Sequence, residues 1–288
     1  MPVHYYNGYA RFCQTVPSVR RHLYQSARVA NDNRDIYMAL DVMIDRNSAT
    51  ENIVSVGGAG SECALSVENL GKRYRRGGGF VVRGLSFRCS TGEIVGLTGE
   101  NGAGKSTTLK CIAGILPFEE GRVTVFGKEI AGDAVEAKRL FGYVPDDHAV
   151  IGYLTGREYV RFVADVRCVP VSVRENNIDR FAGRLGMADC LDIPVSACSH
   201  GTKQKICMLG SLVGNPRLWI LDEPVTGLDP RSQEEVTDIM REFAAGGGTV
   251  LFSSHDYATV NKVCSRVLEV RGGVIREVSA VGSENENE

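Results

Sequence analysis

No apolar run approaches the ~18 residues that a membrane-spanning helix needs, so the 288-residue chain is not expected to cross a bilayer. Nine cysteines are present, but no two are spaced C-x-x-C. That spacing argues against a zinc site or a disulfide framework and for a reducing compartment, with the thiols serving as small apolar core residues. Charge of one sign is also missing. Lys and Arg total 33 against 35 Asp and Glu, a net charge of −2, so no strong field points to nucleic acid. No heptad run suggests a coiled coil. What remains is 43% apolar and 24% charged, an ordinary globular balance, in a length that suits one large domain or two small ones.

Residues 1–63 have their own deficits. They contain no lysine, and their first 30 residues contain no acid while carrying Arg11, Arg20, Arg21 and Arg28. Short helices are expected over 19–30 and 35–45. Such a start is compatible with an organellar transit segment, with a segment lying on an anionic membrane surface, or with a partly disordered extension. Ser55 to Ser61 reads as a flexible linker. The predicted division is an extension and linker over 1–63, a globular domain over 64–282, and an acidic, disordered tail over 283–288.

The globular part opens on strand patterns at 64–70 and 80–87. A short apolar strand, Glu93 to Thr98, then runs into Gly99-Glu100-Asn101-Gly102-Ala103-Gly104-Lys105-Ser106-Thr107, and a helix is expected from Thr107. This fits G-x-x-x-x-G-K-[ST] in the strand–loop–helix setting that a phosphate-binding loop requires. Its glycines let successive N–H groups turn inward toward phosphate oxygens, and the helix adds its positive end. Lys105 is placed to reach the β- and γ-phosphates and the Ser106 hydroxyl to ligate Mg²⁺.

Further strands are expected at 121–126 and 140–144, then a helix-rich stretch over about 146–215 with helices at 156–166 and 172–185. Strand and helix then alternate to residue 270. Within that alternation, Leu218 to Leu221 is an apolar strand that ends in Asp222 and Glu223. Buried acids at the carboxyl end of a strand are costly unless they have a task, and ligands bind at that end of α/β sheets. Asp222 is placed to hold Mg²⁺ through water and Glu223 to orient or deprotonate an attacking water. The next strand, Thr249 to Phe252, leads to His255, within reach of the same place.

From Ala64 to about Arg276 the motifs, in order and spacing, resemble the ATP-binding cassette of ABC transporters. The resemblance implies a P-loop NTPase fold of class α/β: a RecA-like mixed sheet core with an antiparallel β-subdomain and an inserted helical subdomain. It makes Gly99 to Thr107 the Walker A loop, Asp222 and Glu223 the end of Walker B, Lys105 and Glu223 catalytic, and His255 the switch histidine. By the same resemblance Tyr74 stacks on adenine, and Asp229 belongs to the D-loop Gly227-Leu228-Asp229-Pro230. Ser199 and Gly201, opening a helix in Cys198 to Gln204, form a signature anion site that caps the nucleotide of a second subunit. His200 and Thr202 replace the family's usual glycine and glutamine there, and Asp146 replaces a glutamine that contacts Mg²⁺ and links the site to the membrane partner. An acid at 146 and a signature of the form S-x-G-x-x-Q-K resemble cassettes of the ABC-2 exporter type.

The resemblance therefore implies an ATPase using ATP and Mg²⁺, a cassette dimer of identical or different chains, a separate transmembrane permease, and a peripheral place on the cytoplasmic membrane face, with no nucleic-acid partner. The competing reading is a soluble cassette protein in DNA maintenance, translation or metal-cluster assembly. A single cassette without a long coiled-coil insertion weighs against it. A third class, a kinase-like phosphate-binding-loop enzyme, is disfavoured by the later motifs.

Overall fold

The computed structural model describes residues 62–75, 77–132, 134–147 and 150–278. The basic extension with its two expected helices, the linker and the acidic tail lie outside these residues. Strands β1 (Cys63–Lys72), β2 (Val82–Ser90), β4 (Glu120–Val125) and β5 (Lys128–Glu129) pair antiparallel in the order β2-β1-β4-β5. Along β2, Val82, Leu85, Phe87 and Cys89 are buried while Arg83, Ser86 and Arg88 are exposed. That is the alternation of a strand with one face on a core.

A second sheet holds β3 (Ile94–Thr98), β6 (Phe141–Val144), β7 (Leu218–Asp222), β8 (Thr249–Ser253), β9 (Arg266–Arg271) and β10 (Val274–Val278), in the order β10-β9-β3-β8-β7-β6. Its pairings are parallel except that of β9 with β10. Every residue of β3, β7 and β8 is buried, as expected of strands covered on both faces. Alternation decides which core each side chain joins. Leu218 and Ile220 face the antiparallel sheet and helix α1 (Lys105–Ile112). Trp219 and Leu221 face the helical side.

After α1 come α2 (Ala134–Arg139), α3 (Gly156–Val166), α4 (Val171–Arg184), α5 (His200–Leu212), α6 (Pro230–Ala245) and α7 (Tyr257–Val263). Helices α3 to α5 enter the chain between the paired strands β6 and β7, within the stretch expected to be helical. α3 starts where Thr155-Gly156-Arg157-Glu158 spells a capping box: Thr155 Oγ1 accepts from Glu158 N–H at 3.2 Å, and Glu158 Oε2 accepts from Thr155 N–H at 2.9 Å. α5 lies hard against β6. A Cβ on Gly142 would stand 2.4 Å from the Ser211 carbonyl oxygen, so only glycine admits this approach.

The structure adjusts several sequence expectations. α1 begins at Lys105 rather than Thr107, β2 begins at Val82 rather than Phe80, and β1 begins at Cys63, one residue before the expected domain start. β5, α2 and β10 were not expected. Among the described residues no helix is long and apolar enough to cross a membrane. The parallel register sets Asp222 beside Ser253 and Leu97 beside the same serine. The carboxyl ends of β3, β7 and β8 therefore lie side by side, and that edge carries the candidate site.

Candidate functional site

Gly99 leaves β3 at φ 145°. A Cβ there would come within 2.3 Å of the Val270 carbonyl oxygen, so both conformation and space demand glycine. Gly99→Ala is expected to destabilise the fold by about 1–3 kcal/mol, the usual scale of overpacking and backbone strain. The check is thermal melting, and an unchanged Tm would show that the loop does not depend on this approach. Gly104, at φ 107°, ends the loop and accepts the first N–H of α1 that finds a partner, Thr108, at 2.8 Å. α1 has no side-chain cap and no acid in its first turn, so its leading N–H groups remain directed at the loop's concave side.

Lys105 is buried, and its Nζ donates to the Gly99 carbonyl at 2.8 Å and the Glu100 carbonyl at 3.3 Å. Glu223 Oε1 stands 3.8 Å from the same amine. The neighbouring Ser106 hydroxyl donates to Asp222 Oδ1 at 3.0 Å, joining motifs 116 residues apart in sequence. Ser253 Oγ donates to that same oxygen at 2.6 Å.

Asp222 is fully buried, and its other oxygen, Oδ2, has no hydrogen-bond partner. Burial pushes its carboxyl above the ordinary carboxylate range. The Ser253 and Ser106 hydroxyls oppose this, while the charge of Asp146 adds to it. Asp146 itself is exposed at the rim after β6. A second orphaned oxygen, the buried Tyr143 hydroxyl, is held well above its ordinary pKa by burial and then by the charges of Asp222, Asp147 and Asp146. Two unpartnered buried oxygens beside a hard-oxygen donor set fit a divalent cation such as Mg²⁺.

Glu223 follows Asp222 in the left-handed region, at φ 49°. For a residue other than glycine this costs about 1–3 kcal/mol and must be held by its surroundings. Its N–H donates to Ser253 Oγ at 3.0 Å. Its Oε2 accepts from Thr226 Oγ1 at 3.1 Å and lies 2.9 Å from His255 Nδ1. One carboxylate is thus braced by Thr226 and His255 while its other oxygen faces the Lys105 amine.

The remaining expected residues divide into two places. Tyr74 is 62% exposed, with its hydroxyl 3.1 Å from Thr107 Oγ1 beside the loop. Glu100, Asn101 and Gly102 form the exposed crest of the loop, and the half-buried Ala103 closes it, its N–H bonded to the Glu100 carbonyl at 3.1 Å. Ser199, Gly201 and Asp229 lie elsewhere. Ser199 caps α5, accepting Thr202 N–H at 3.1 Å, and Gly201 packs on Leu228. Asp229 caps α6, and its carboxyl sits below its ordinary range because Ser232 donates both hydroxyl and N–H to it. Among the described residues no hydrogen bond joins Ser199, Gly201 or Asp229 to residues 99–107. Sequence reasoning missed Ser253 and Thr226, and placed Gln204 in the signature without foreseeing its bonds to the Glu223 and Pro224 carbonyls. Ser253 closes the strand next to Asp222, a position that only the parallel register reveals.

A family model described as ABC transporter matches residues 82–226. The linearmycin resistance ATP-binding protein LnrL of Bacillus subtilis is 31% identical over 222 residues, covering 77% of this chain and 70% of that protein. The Nod factor export ATP-binding protein I of Sinorhizobium fredii is 32% identical over 213 residues, covering 74% of this chain and 62% of the relative. Among further curated relatives the matched share of their own length runs from 11% to 73%. Among solved structures, an ATP-binding subunit of an ABC transporter superposes with a TM-score of 0.71 at 28% identity, over 75% of this chain and 90% of that one.

Proposed function

The chain belongs to the ABC transporter family as an ATP-binding, ATP-hydrolysing subunit, and from that premise we propose which of its groups bind ATP and carry out the chemistry. The loop 99–107 cradles the phosphates with its N–H groups. Lys105 exchanges the Gly99 and Glu100 carbonyls for phosphate oxygens, and Tyr74 covers the base. Glu223 accepts the proton of a water that attacks the γ-phosphorus as the bond to ADP breaks. His255 and Thr226 hold that carboxylate at its angle. Mg²⁺, when bound, neutralises charge on the β- and γ-phosphate oxygens, and Ser106, Asp222 and the rim carboxylate Asp146 are the residues that would hold it. The observation that carries this reading is the linked set Lys105–Glu223–His255 and Ser106–Asp222–Ser253, built from three distant motifs at one sheet edge.

Ser199 and Gly201 stand apart from the loop of their own chain. We assign them, with Asp229, to the nucleotide of a second cassette in a head-to-tail dimer, where the start of α5 caps the γ-phosphate. We propose the same domain division as the sequence suggests, an extension and linker over 1–63, an ATPase domain over 64–282 with its helical part near 146–215, and an acidic tail over 283–288; the start of β1 at Cys63 supports the first boundary.

Resistance and export in the names of the two relatives support an exporter, driven from the cytoplasmic face through a separate membrane-spanning permease. A role in DNA maintenance, translation or cluster assembly is not favoured. The test is a detergent pull-down of tagged Glu223→Gln protein from native membranes with Mg-ATP. A multi-span protein that co-purifies, and is lost from an Asp146 variant, is the expected result. Recovery of soluble partners alone would overturn the exporter reading while leaving the ATPase chemistry standing.

A further inference from the structure

Gln204 is a polar residue at zero exposure, in the second turn of α5. Its Nε2 donates to two consecutive main-chain carbonyls, Glu223 at 3.1 Å and Pro224 at 2.6 Å. Its own Oε1 is buried and has no partner. We propose that Gln204 is the positioning residue for Glu223. Its amide fixes the backbone of the proton-accepting residue in the left-handed conformation that aims the carboxylate at the phosphate site. The proposal rests on the role given to Glu223 above.

The geometry argues for this in three steps. First, neighbouring carbonyls point to one donor only where the chain turns, and Glu223 at φ 49° makes that turn. Second, the other grips on Glu223 leave its carbonyl side weak. Ser253 holds the N–H, Thr226 and His255 hold the carboxylate, and apart from Gln204 the carbonyl keeps only a 3.3 Å bond from Thr226 N–H. Without the amide, φ can relax toward the common negative region, and Oε1 swings away from Lys105. Third, stability does not explain the amide. Its two donated bonds satisfy the Glu223 and Pro224 carbonyls, but its own acceptor is left unsatisfied in the interior, so much of their stabilisation is offset. The amide specifies geometry. Because α5 opens at Ser199 and Gly201, the same rigid helix also ties the end assigned to the second nucleotide to the Glu223 of its own chain.

Gln204→Met is the direct test, with Gln204→Asn, a methylene too short to span both carbonyls, as the second variant where Met lowers the yield of folded protein. Either variant is expected to lower kcat by about 10- to 10²-fold, the scale of an ångström-sized misplacement, with the Kd for ATP close to wild type, while the Tm of Gln204→Met falls by a few degrees because the buried Pro224 carbonyl loses its donor. The deciding measurement repeats the substitution in Glu223→Gln protein by single-turnover phosphate release. No further loss is expected there, because both changes act on one group. A wild-type kcat in folded Gln204→Met, or a full additional loss in the Glu223→Gln background, overturns the positioning role. A Glu223→Gln protein that hydrolyses ATP normally overturns instead the reading of Glu223 on which it rests.

Discussion

Glu223→Gln should bind ATP as the parent protein does and hydrolyse it about 10²-fold or more slowly, the range lost with a positioned general base. The substitution keeps the shape of the side chain. A glutamine oxygen at the Oε2 position still accepts from Thr226 Oγ1 and meets His255 Nδ1, and the backbone is still held by Ser253 and Gln204. What disappears is the proton acceptor and the negative charge 3.8 Å from the Lys105 amine. Losing that charge frees the amine for phosphate, so affinity should hold or rise while turnover collapses. This split separates a group acting in the transition state from one that binds the ground state. Equilibrium nucleotide binding and phosphate release under saturating ATP measure the two halves. Turnover within threefold of the parent would remove Glu223 from the chemistry, and a parallel loss of binding would make it a structural residue.

The site was legible in sequence wherever its chemistry is local. Gly99 to Thr107 is one contiguous run whose glycine spacing suits phosphate binding, and it lies between a strand ending at Thr98 and a helix starting at Lys105. Asp222 and Glu223 were visible as two acids ending an apolar strand. α3 was visible because its apolar spacing lies within the helix itself. The elements that escaped are short or rest on tertiary contacts. β5 has two residues and α2 six, too few for any periodicity to show. β10 exists as the antiparallel partner of β9. Ser253 lies between the expected strand Thr249 to Phe252 and His255, yet its bonds to Asp222 Oδ1 and Glu223 N–H depend on β7 and β8 being neighbours in parallel register. Gln204 meets the Glu223 and Pro224 carbonyls across 19 and 20 residues of sequence, through the packing of α5 on the turn after β7. Sequence showed which residue types could do the chemistry. The strand order determines which of them meet.

Asp222→Asn should make the metal-free protein more stable at neutral pH and about 10- to 10²-fold less active at fixed Mg²⁺, the loss typical of a group that holds a metal through its bound water. Asparagine's oxygen can take the place of Oδ1 and accept from Ser106 and Ser253, so the packing is kept. The difference lies in the charge. The Asp222 carboxyl is pushed up chiefly by burial. A raised folded-state value means that the folded chain favours the protonated acid. That stabilisation is complete below the ordinary carboxylate value of about 4 and is lost as pH rises through the folded one. At neutral pH the ionised, half-satisfied carboxylate therefore weakens the fold, and asparagine removes the penalty. With a chelator present, the variant should melt a few degrees higher at pH 7, since ~1 kcal/mol moves Tm by about 2–4 °C in a domain of this size. The gain should shrink steadily as pH falls toward about 4, where the parent acid is itself neutral. A lower Tm at pH 7, or a gain that does not fade in acid, would mean that Ser106 and Ser253 already satisfy the charge. The predicted combination, firmer fold and poorer ATPase, marks a carboxylate kept in the interior against the fold's own preference. Its unpartnered Oδ2 is the atom left for what ATP hydrolysis brings to the site.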